Sequence, residues 1–568
     1  MKILLGKDIR SADLRTIERE PVASIDLMER AAVALETEAV AAAEAPVTGD
    51  MTGLPFRENA HEPEGSVPEY LIVVGKGNNG GDGLAVARLL KRRFGDSREV
   101  SVLLLFPPER LSDDCRRNLE RLPSEVTVYR FSDGRISADG SDMPADQLFR
   151  SNTIIIDAIL GTGVTGAVHG VAQQAIRLIN EHSHGCRMVI SIDLPSGMPT
   201  EPWRSPEQEA DMSGENAART TPPADIVSAG LTLTIEFPKL ALMLPETGKY
   251  AGRLRTVHIG LDREFIDDCD SPFTAVDREY AVSMLEPRGE FDHKGTHGHA
   301  LVIAGSAEYM GAAILCTGAA LRSGCGLVTA HIPSEGRTAM LVSHPSAIVS
   351  ADEAPVFSSL PADLGKYTSV AAGPGLGRSE AAVGALCKLL ASLPEHSGIR
   401  TLVLDADALN VISEHPDMLY TIPAGSVLTP HIGELKRLMR AAAVSGLLED
   451  AGSAGADSPW HDDMHRIALV RQLASSLKSV IVVKGAHTMT CSPDGRCFFN
   501  MSGNPGMAKG GSGDVLTGLI AGLAARGYDP LAAAVLGVWF HGRAGDDAAA
   551  SRGVESMNAA DILENIRI

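Results

Sequence analysis

Short apolar runs that stop abruptly at glycines and carboxylates recur along this chain. Tyr70-Leu-Ile-Val-Val74 meets Gly75-Lys-Gly-Asn-Asn-Gly-Gly-Asp-Gly83, Thr153-Ile-Ile-Ile-Asp157 meets Ala-Ile-Leu-Gly161-Thr-Gly163, and Met188-Val-Ile-Ser-Ile-Asp193 meets Leu-Pro195-Ser196-Gly197. Runs this short with no polar face are those of parallel strands buried on both sides. Between them lie stretches of helical spacing, with Leu14, Ile17, Ile25, Leu27, Met28, Ala31, Ala32 and Leu35 sharing faces over 11–43 and a further helix over 84–94. After a charged break from Asp262 to Asp270, Phe273 to Leu285 reads as a short helix, and the alternation then resumes. Strand ends follow at Gly305-Ser306, Gly373-Pro-Gly375, Asp405-Ala-Asp407, His431 and Lys484, and the series closes on Gly510-Gly-Ser-Gly-Asp514. The pattern predicts an α/β protein of two domains, 1–270 and 271–568, each a doubly wound sheet.

Composition narrows the setting. The 568 residues are enough for several domains, and aromatics make up only 4%, a habit of α/β cores rich in Ala, Gly, Leu and Val. A net charge of -21 argues against nucleic acid. The apolar run after Met1 is too short for a signal peptide and no stretch reaches membrane-spanning length, so a cytoplasmic protein without membrane partners is expected. The 8 cysteines are scattered without metal spacing, as expected of reduced, buried thiols. Two aperiodic stretches, near 45–67 and 203–223, read as surface insertions.

The candidate chemistry sits where the strands end. Glycines let a backbone approach a ligand closely, and the first amides of a helix attract anions, so Gly510, Gly511 and Gly513 form an anion cradle. Asp514 repels a phosphate there unless it has another task, such as taking a proton from a nearby hydroxyl; capping a helix that begins at Val515 is the plainer alternative. In the first half, Gly75, Gly77 and Gly80 match a dinucleotide fingerprint, but the next strand ends at Pro107-Pro108 and offers no acidic residue for a ribose. What remains is a set of three oxygen-rich strand ends, at Asn78 to Asp82, at Asp157 and at Asp193, in register for one ligand site.

Taken together, Gly77-Asn-Asn-Gly-Gly-Asp-Gly83, Asp157-Ala-Ile-Leu-Gly-Thr-Gly163, Asp193-Leu-Pro-Ser-Gly197 and Thr232-Leu-Thr-Ile-Glu-Phe-Pro-Lys239 resemble the YjeF N-terminal domain, the NAD(P)H-hydrate epimerase family, which is Rossmann-like. The resemblance implies a potassium ion held by Asn79, Asp157 and Ser196. Substrate contacts would come from Asn78, Asn79, Gly80, Gly81 and Asp82, from Gly161, Thr162, Gly163, Val164, Thr165, Gly166 and Ala167, and from Asp193. Either Asp157 or Asp193 would be the acid/base.

The later strand ends, with His293-Lys-Gly295 and His541-Gly-Arg-Ala-Gly-Asp546, resemble the YjeF C-terminal domain, the ADP- or ATP-dependent NAD(P)H-hydrate dehydratase family with a ribokinase-like fold. That resemblance implies substrate contacts from Ala312, Gly375, His431 and Asp514. Nucleotide contacts would come from Lys484, Gly485, Ala486, His487, Thr488 and Gly513, with Mg2+ accompanying ADP or ATP and Asp514 as base. A homo-oligomer acting on NADHX or NADPHX is expected. Lys509 and Ile432 depart from the family pattern; Lys509 either adds a cation near the phosphates or points to solvent. The competing expectation is a ribokinase-like small-molecule kinase fused to a non-catalytic binding scaffold.

Overall fold

The computed structural model describes residues 1–44, 67–132, 134–138, 140–202, 225–449 and 458–568; the two insertions read near 45–67 and 203–223 lie outside the described residues apart from Val67. The chain forms two sheets. The first contains β1 (Glu69–Val74), β2 (Val100–Leu104), β3 (Thr127–Ser132), β4 (Arg135–Ala138), β5 (Ser141–Met143), β6 (Thr153–Ala158), β7 (Met188–Ile192), β8 (Leu231–Ile235) and β9 (Arg253–Val257), in the order 5-4-3-2-1-6-7-8-9. Only the pairings of β3 with β4 and β4 with β5 are antiparallel. Chain order reverses between β1 and β6, so the loops after those strands part there and leave a crevice at their carboxyl ends, where open α/β sheets bind ligands.

The second sheet contains β10 (Phe273–Val276), β11 (His299–Ile303), β12 (Leu327–Pro333), β13 (Ile348–Asp352), β14 (Ser369–Ala372), β15 (Thr401–Leu404), β16 (Val427–Leu428), β17 (Val480–Val483), β18 (Met489–Cys491) and β19 (Cys497–Asn500). Their order is 10-19-18-17-16-15-14-11-12-13, with β18 alone running antiparallel to its neighbours. The reversal falls between β14 and β11. Both halves are therefore the doubly wound α/β sheets expected, and the apolar runs are buried throughout: Ile72, Val74, Ile190, Leu301, Val370 and Val403 expose no surface.

Two readings change. Phe273–Val276 is a strand and only Arg278–Ser283 is helical, because Phe273 and Ala275 face a core while Asp277 caps the helix by accepting from Tyr280. The glycine turn after β1 is helix from Asn78 onward, so Asn78 to Asp82 form the first turns of Asn78–Phe94. The turn into it closes tightly: a Cβ on Gly75 would lie 1.8 Å from the Ile159 carbonyl oxygen, and one on Gly80 would lie 2.2 Å from that of Gly75.

The halves share a core. Leu194, Met198 and Leu240 to Leu244 belong to one buried cluster with Leu364, Leu386 and Leu435 of the second half. The first residues lie along the edge of the second sheet, where the Ile3 amide donates to Phe273 O at 3.0 Å and Ala275 donates to Met1 O at 2.8 Å. Among the described residues no helix is long and apolar enough to cross a membrane.

The helices Met310–Arg322 and Ser512–Arg526 cross at Gly518, where an added Cβ would sit 1.9 Å from the Cys316 carbonyl oxygen. Gly518→Ala should cost about 1–3 kcal/mol through overpacking. Gly384→Ala, in helix Glu380–Ser392 with nothing within 4 Å, should be neutral or stabilising by up to about 1 kcal/mol. Thermal unfolding of the two variants checks both signs.

Candidate active sites

At the reversal point of the first sheet lies a cavity of about 580 Å³. Asn78, Asn79 and Asp82 reach it from the helix after β1, Gly161, Thr162 and Gly163 from the loop after β6, and Asp193 from the end of β7. Gly80 and Gly81 do not line it; they are buried against Gly75 and Met28 and let the helix pack closely. Val164 to Ala167 continue along the loop beyond the cavity, with Thr165 and Ala167 exposed.

Asp157 and Asp193 occupy different environments. Asp157 is wholly buried and accepts from Ser191 Oγ at 2.8 Å, the Ser196 amide at 2.8 Å, Ser196 Oγ at 2.5 Å and the Ile159 amide at 3.3 Å. Burial pushes its carboxyl above the usual range, while these bonds from Ser196, Ser191 and Ile159 pull the other way. It stands behind the cavity wall. Ser196 in turn touches Leu160, whose carbonyl accepts from Asn79 Nδ2 at 3.0 Å. Asn79, through its Nδ2, and Ser196 thus meet at one carbonyl, and Ser196 links them to Asp157.

Asp193 faces the cavity with a backbone φ of 64°, a left-handed conformation that few residues other than glycine adopt. Its Oδ1 accepts from the Ile235 amide at 3.0 Å and from the Lys239 ammonium, which is buried. Two further carboxyls look into the same space. Asp82 is raised well above the usual range by burial and then by Asp193 and Asp13. Asp13, reached by solvent through the open cavity, is pushed up to about 6 by enclosure within the walls and by Asp193, with Lys239 opposing. Sequence reasoning missed Asp13 and Lys239. Asp13 had a signal, being a carboxylate midway between Ile9 and Ile17 at helical spacing; the Lys239 pairing had none, since it spans 46 residues.

The second site gathers five strand ends of the second sheet. Gly305, after β11, donates to Pro374 O at 2.8 Å, and a Cβ on Gly375 would lie 3.1 Å from Ala312 Cβ, so Ala312 and Gly375 meet. After β16, His431 is the N-cap of helix Ile432–Val444, accepting from Gly433 through Nδ1 at 2.9 Å and leaving its other nitrogen 3.4 Å from Glu434. Its backbone bridges to Lys484. Gly485 and Ala486 beyond Lys484 are exposed, the Gly485 amide donates to Thr488 Oγ at 3.3 Å, and His487 is held by Asn500 O at 2.9 Å.

Gly511, with φ of 90°, is the N-cap of helix Ser512–Arg526, and Asp514 is the third helical residue. Asp514 therefore does not cap the helix. Its carboxyl is pushed up to about 7, first by burial and then by Asp405, against the pull of Lys484, with Asp407 and Glu434 adding to the rise. Beneath the glycine turn, Lys484 Nζ donates to Asp405 Oδ1 at 2.7 Å and Thr517 Oγ1 donates to Asp405 Oδ2 at 2.7 Å. Lys509 is exposed, and its ammonium is bound by the carbonyls of Glu555 at 2.5 Å and Met557 at 2.6 Å. His541 is buried 3.3 Å from Ser512 Oγ, and burial lowers it to about 4.

Comparison with known proteins bears on both sites. Residues 300–567 match the family described as NAD(P)H-hydrate dehydratase, and residues 24–241 match that described as YjeF-related protein N-terminus. The bifunctional NAD(P)H-hydrate repair enzyme Nnr of Moorella thermoacetica is 35% identical over 508 residues, covering 87% of this chain and 86% of that protein. The protein of the same name from Thermofilum pendens is 30% identical over 99% of this chain and 95% of its own length. Among solved structures, an ADP/ATP-dependent NAD(P)H-hydrate dehydratase from Bacillus subtilis, co-crystallised with ATP/Mg2+, is 27% identical, covers 51% of this chain and 94% of its own, and superposes with a TM-score of 0.40.

Lys239→Met should leave Asp193, only 8% exposed, without its counter-charge and cost about 3–5 kcal/mol. Adding Asp193→Asn to it should recover part of that loss. Denaturant unfolding of the single and double variants measures the coupling.

Proposed function

The chain belongs to the family of bifunctional NAD(P)H-hydrate repair enzymes, and we propose that its two sites divide the work, the first interconverting the R and S hydrates and the second returning the S hydrate to NAD(P)H at the expense of ADP or ATP. The observation that carries this is the carboxyl of Asp514, pushed up to about 7 beside a left-handed glycine turn that offers helix amides to an anion. Neither a simple phosphate site nor a helix cap calls for such a group.

In the second site Asp514 takes the proton of the hydroxyl on the hydrated ring as that oxygen attacks the terminal phosphorus and the nucleotide leaves. Hydroxide is a poor leaving group and phosphate a good one, so loss of phosphate with a ring proton then restores the nicotinamide double bond. Charge developing on the phosphoryl oxygens meets the amides of Gly511 to Gly513. Lys484 to Thr488 and Gly513 hold the nucleotide, and Ala312, Gly375 and His431 flank the hydrate. Mg2+ bound with the nucleotide would supply counter-charge to its phosphates.

In the first site Asp193 is the group that works on the substrate, since it faces the cavity, whereas Asp157 anchors Ser196 from behind. Asn79, Asp157 and Ser196 would hold potassium through their side-chain oxygens, and the ion would supply fixed positive charge near the substrate. NADHX and NADPHX are both admitted to this scheme, in a cytoplasmic homo-oligomer. A ribokinase-like kinase with a non-catalytic scaffold gains no support from relatives that share both halves.

Mixed-epimer NADHX incubated with ADP should return fully to NADH, with one phosphate released per NADH and no phosphorylated product accumulating. Asp193→Asn should stop the fast recovery near half, and Asp514→Asn should lower the rate by about 10²-fold or more at any substrate level. Stable phosphorylated hydrate without phosphate release contradicts the dehydratase assignment. Asp514 must be ionised to act as base, so kcat/KM for dehydration should fall as pH drops through about 7 and level off above it.

A further inference from the structure

Asp405 has no role in the chemistry above, yet it is 1% exposed and holds two partners of the second site at once. It ends β15 as the N-cap of helix Ala406–Glu414 without capping it through its side chain, and Ala406 after it has φ of 47°, a left-handed conformation in a residue that is not glycine. The strained turn leaves its carboxylate for other partners. One oxygen takes the Lys484 ammonium and the other takes Thr517 Oγ, in the first turns of the helix that bears Asp514. A Cβ on Gly513 would lie 3.3 Å from Lys484 Nζ and 3.6 Å from Asp405 Oδ2, so the pair sits directly under the glycine turn.

We propose that Asp405 is a positioning residue for dehydration: it ties the Lys484 ammonium beneath Gly513 and clamps the Asp514 helix through Thr517, so that the base has no cation of its own. The inference rests on Asp514 being that base. The groups facing Asp514 are Asp405 and Asp407 from the end of β15, Glu434 from helix Ile432–Val444, Lys484 from the end of β17, and the Cys316 thiol from helix Met310–Arg322; His541, behind Ser512, is neutral near pH 7. Lys484 is the one cation among these, and it is shared with Asp405 at 2.7 Å and Glu434 at 3.7 Å. Burial alone would lower the Lys484 ammonium, but Asp405, then Glu434 and Asp514, raise it, so it stays charged and committed. With Asp405 neutral, the ammonium would serve Asp514 instead, leaving a carboxylate that is ionised at lower pH and is a weaker base.

The test uses the full chain with S-NADHX and ADP. Asp405→Asn, nearly isosteric, should move the acidic limb of kcat/KM down by about one pH unit or more and lower the plateau by roughly tenfold or more. KM for ADP should change much less than kcat. Thr517→Val removes the clamp and leaves the ion pair, so it should lower the plateau without moving the limb. A limb that stays in place in Asp405→Asn, with loss of activity alone, overturns the proposal and leaves Asp405 a purely structural residue. If Asp405→Asn does not fold, Lys484→Met provides the converse: removing the ammonium should move the limb up, and an unmoved limb overturns the proposal equally. Asp514→Asn retaining full dehydration would instead overturn the assignment of the base, which separates the two failures.

Discussion

A carboxylate at the end of a parallel strand, walled off from water and short of counter-charge, is the constraint on which both halves of this protein depend. Asp193 in the first sheet and Asp405 in the second are buried at strand ends, and burial with neighbouring anions raises Asp82 beside the one and Asp514 beside the other. Asp193 and Asp405 are each paired with one lysine, the buried Lys239 in one half and the half-buried Lys484 in the other. A buried charge without a partner costs several kcal/mol, so these lysines must be fixed by the surrounding fold. They are: Lys239 follows β8 on a loop buried between the halves, and Lys484 ends β17 next to the N-cap of another helix.

The arrangement also explains where glycine is required. Helices can bring their first amides to a strand end only if the connecting backbone passes within contact of a neighbouring strand, as Gly75 does at Ile159 and Gly373 at Asp405, where an added Cβ would lie 1.8 Å from a carbonyl oxygen in each case. Two of the non-glycine residues that accept positive φ, Asp193 and Ala406, stand at the carboxylates themselves. At these two positions the strain lies where polar groups must be aimed, and the apolar sheets behind them hold it in place. The shared core of the two halves, with Leu194 and Met198 packed among residues of the second half, places the strand end that bears Asp193 in the same buried cluster as the second sheet.

Much of this was legible in the order of residues. Apolar runs ending in glycine and Asp located most of the strands and the sheet edges that carry the sites, because a strand buried on both faces reads as a short apolar run bounded by turn residues, although Phe273–Val276 read as helix. Asp193 ends such a run, whereas Asp514 was singled out by its glycine loop. What stayed hidden were pairings made by topology alone: Thr517 with Asp405 across 112 residues, Lys239 with Asp193 across 46, and Met1 with Ala275 across the whole first half. Asp157 reads like Asp193 in sequence and differs only in the three-dimensional fact that Ser191 and Ser196 enclose it. Lys509 likewise reads as a free cation until the carbonyls of Glu555 and Met557 are seen to take it.

The proposed role of Asp514 calls for a base strong enough to prepare a hydroxyl and still ionised under working conditions, and burial beside Asp405 pushes its carboxyl up to about 7. The most direct measurement is an infrared titration of the full chain, with Asp514→Asn subtracted to isolate one carboxyl band. A midpoint near 7 is expected in the empty site. A midpoint in the ordinary aspartate range, about 4, would contradict the account.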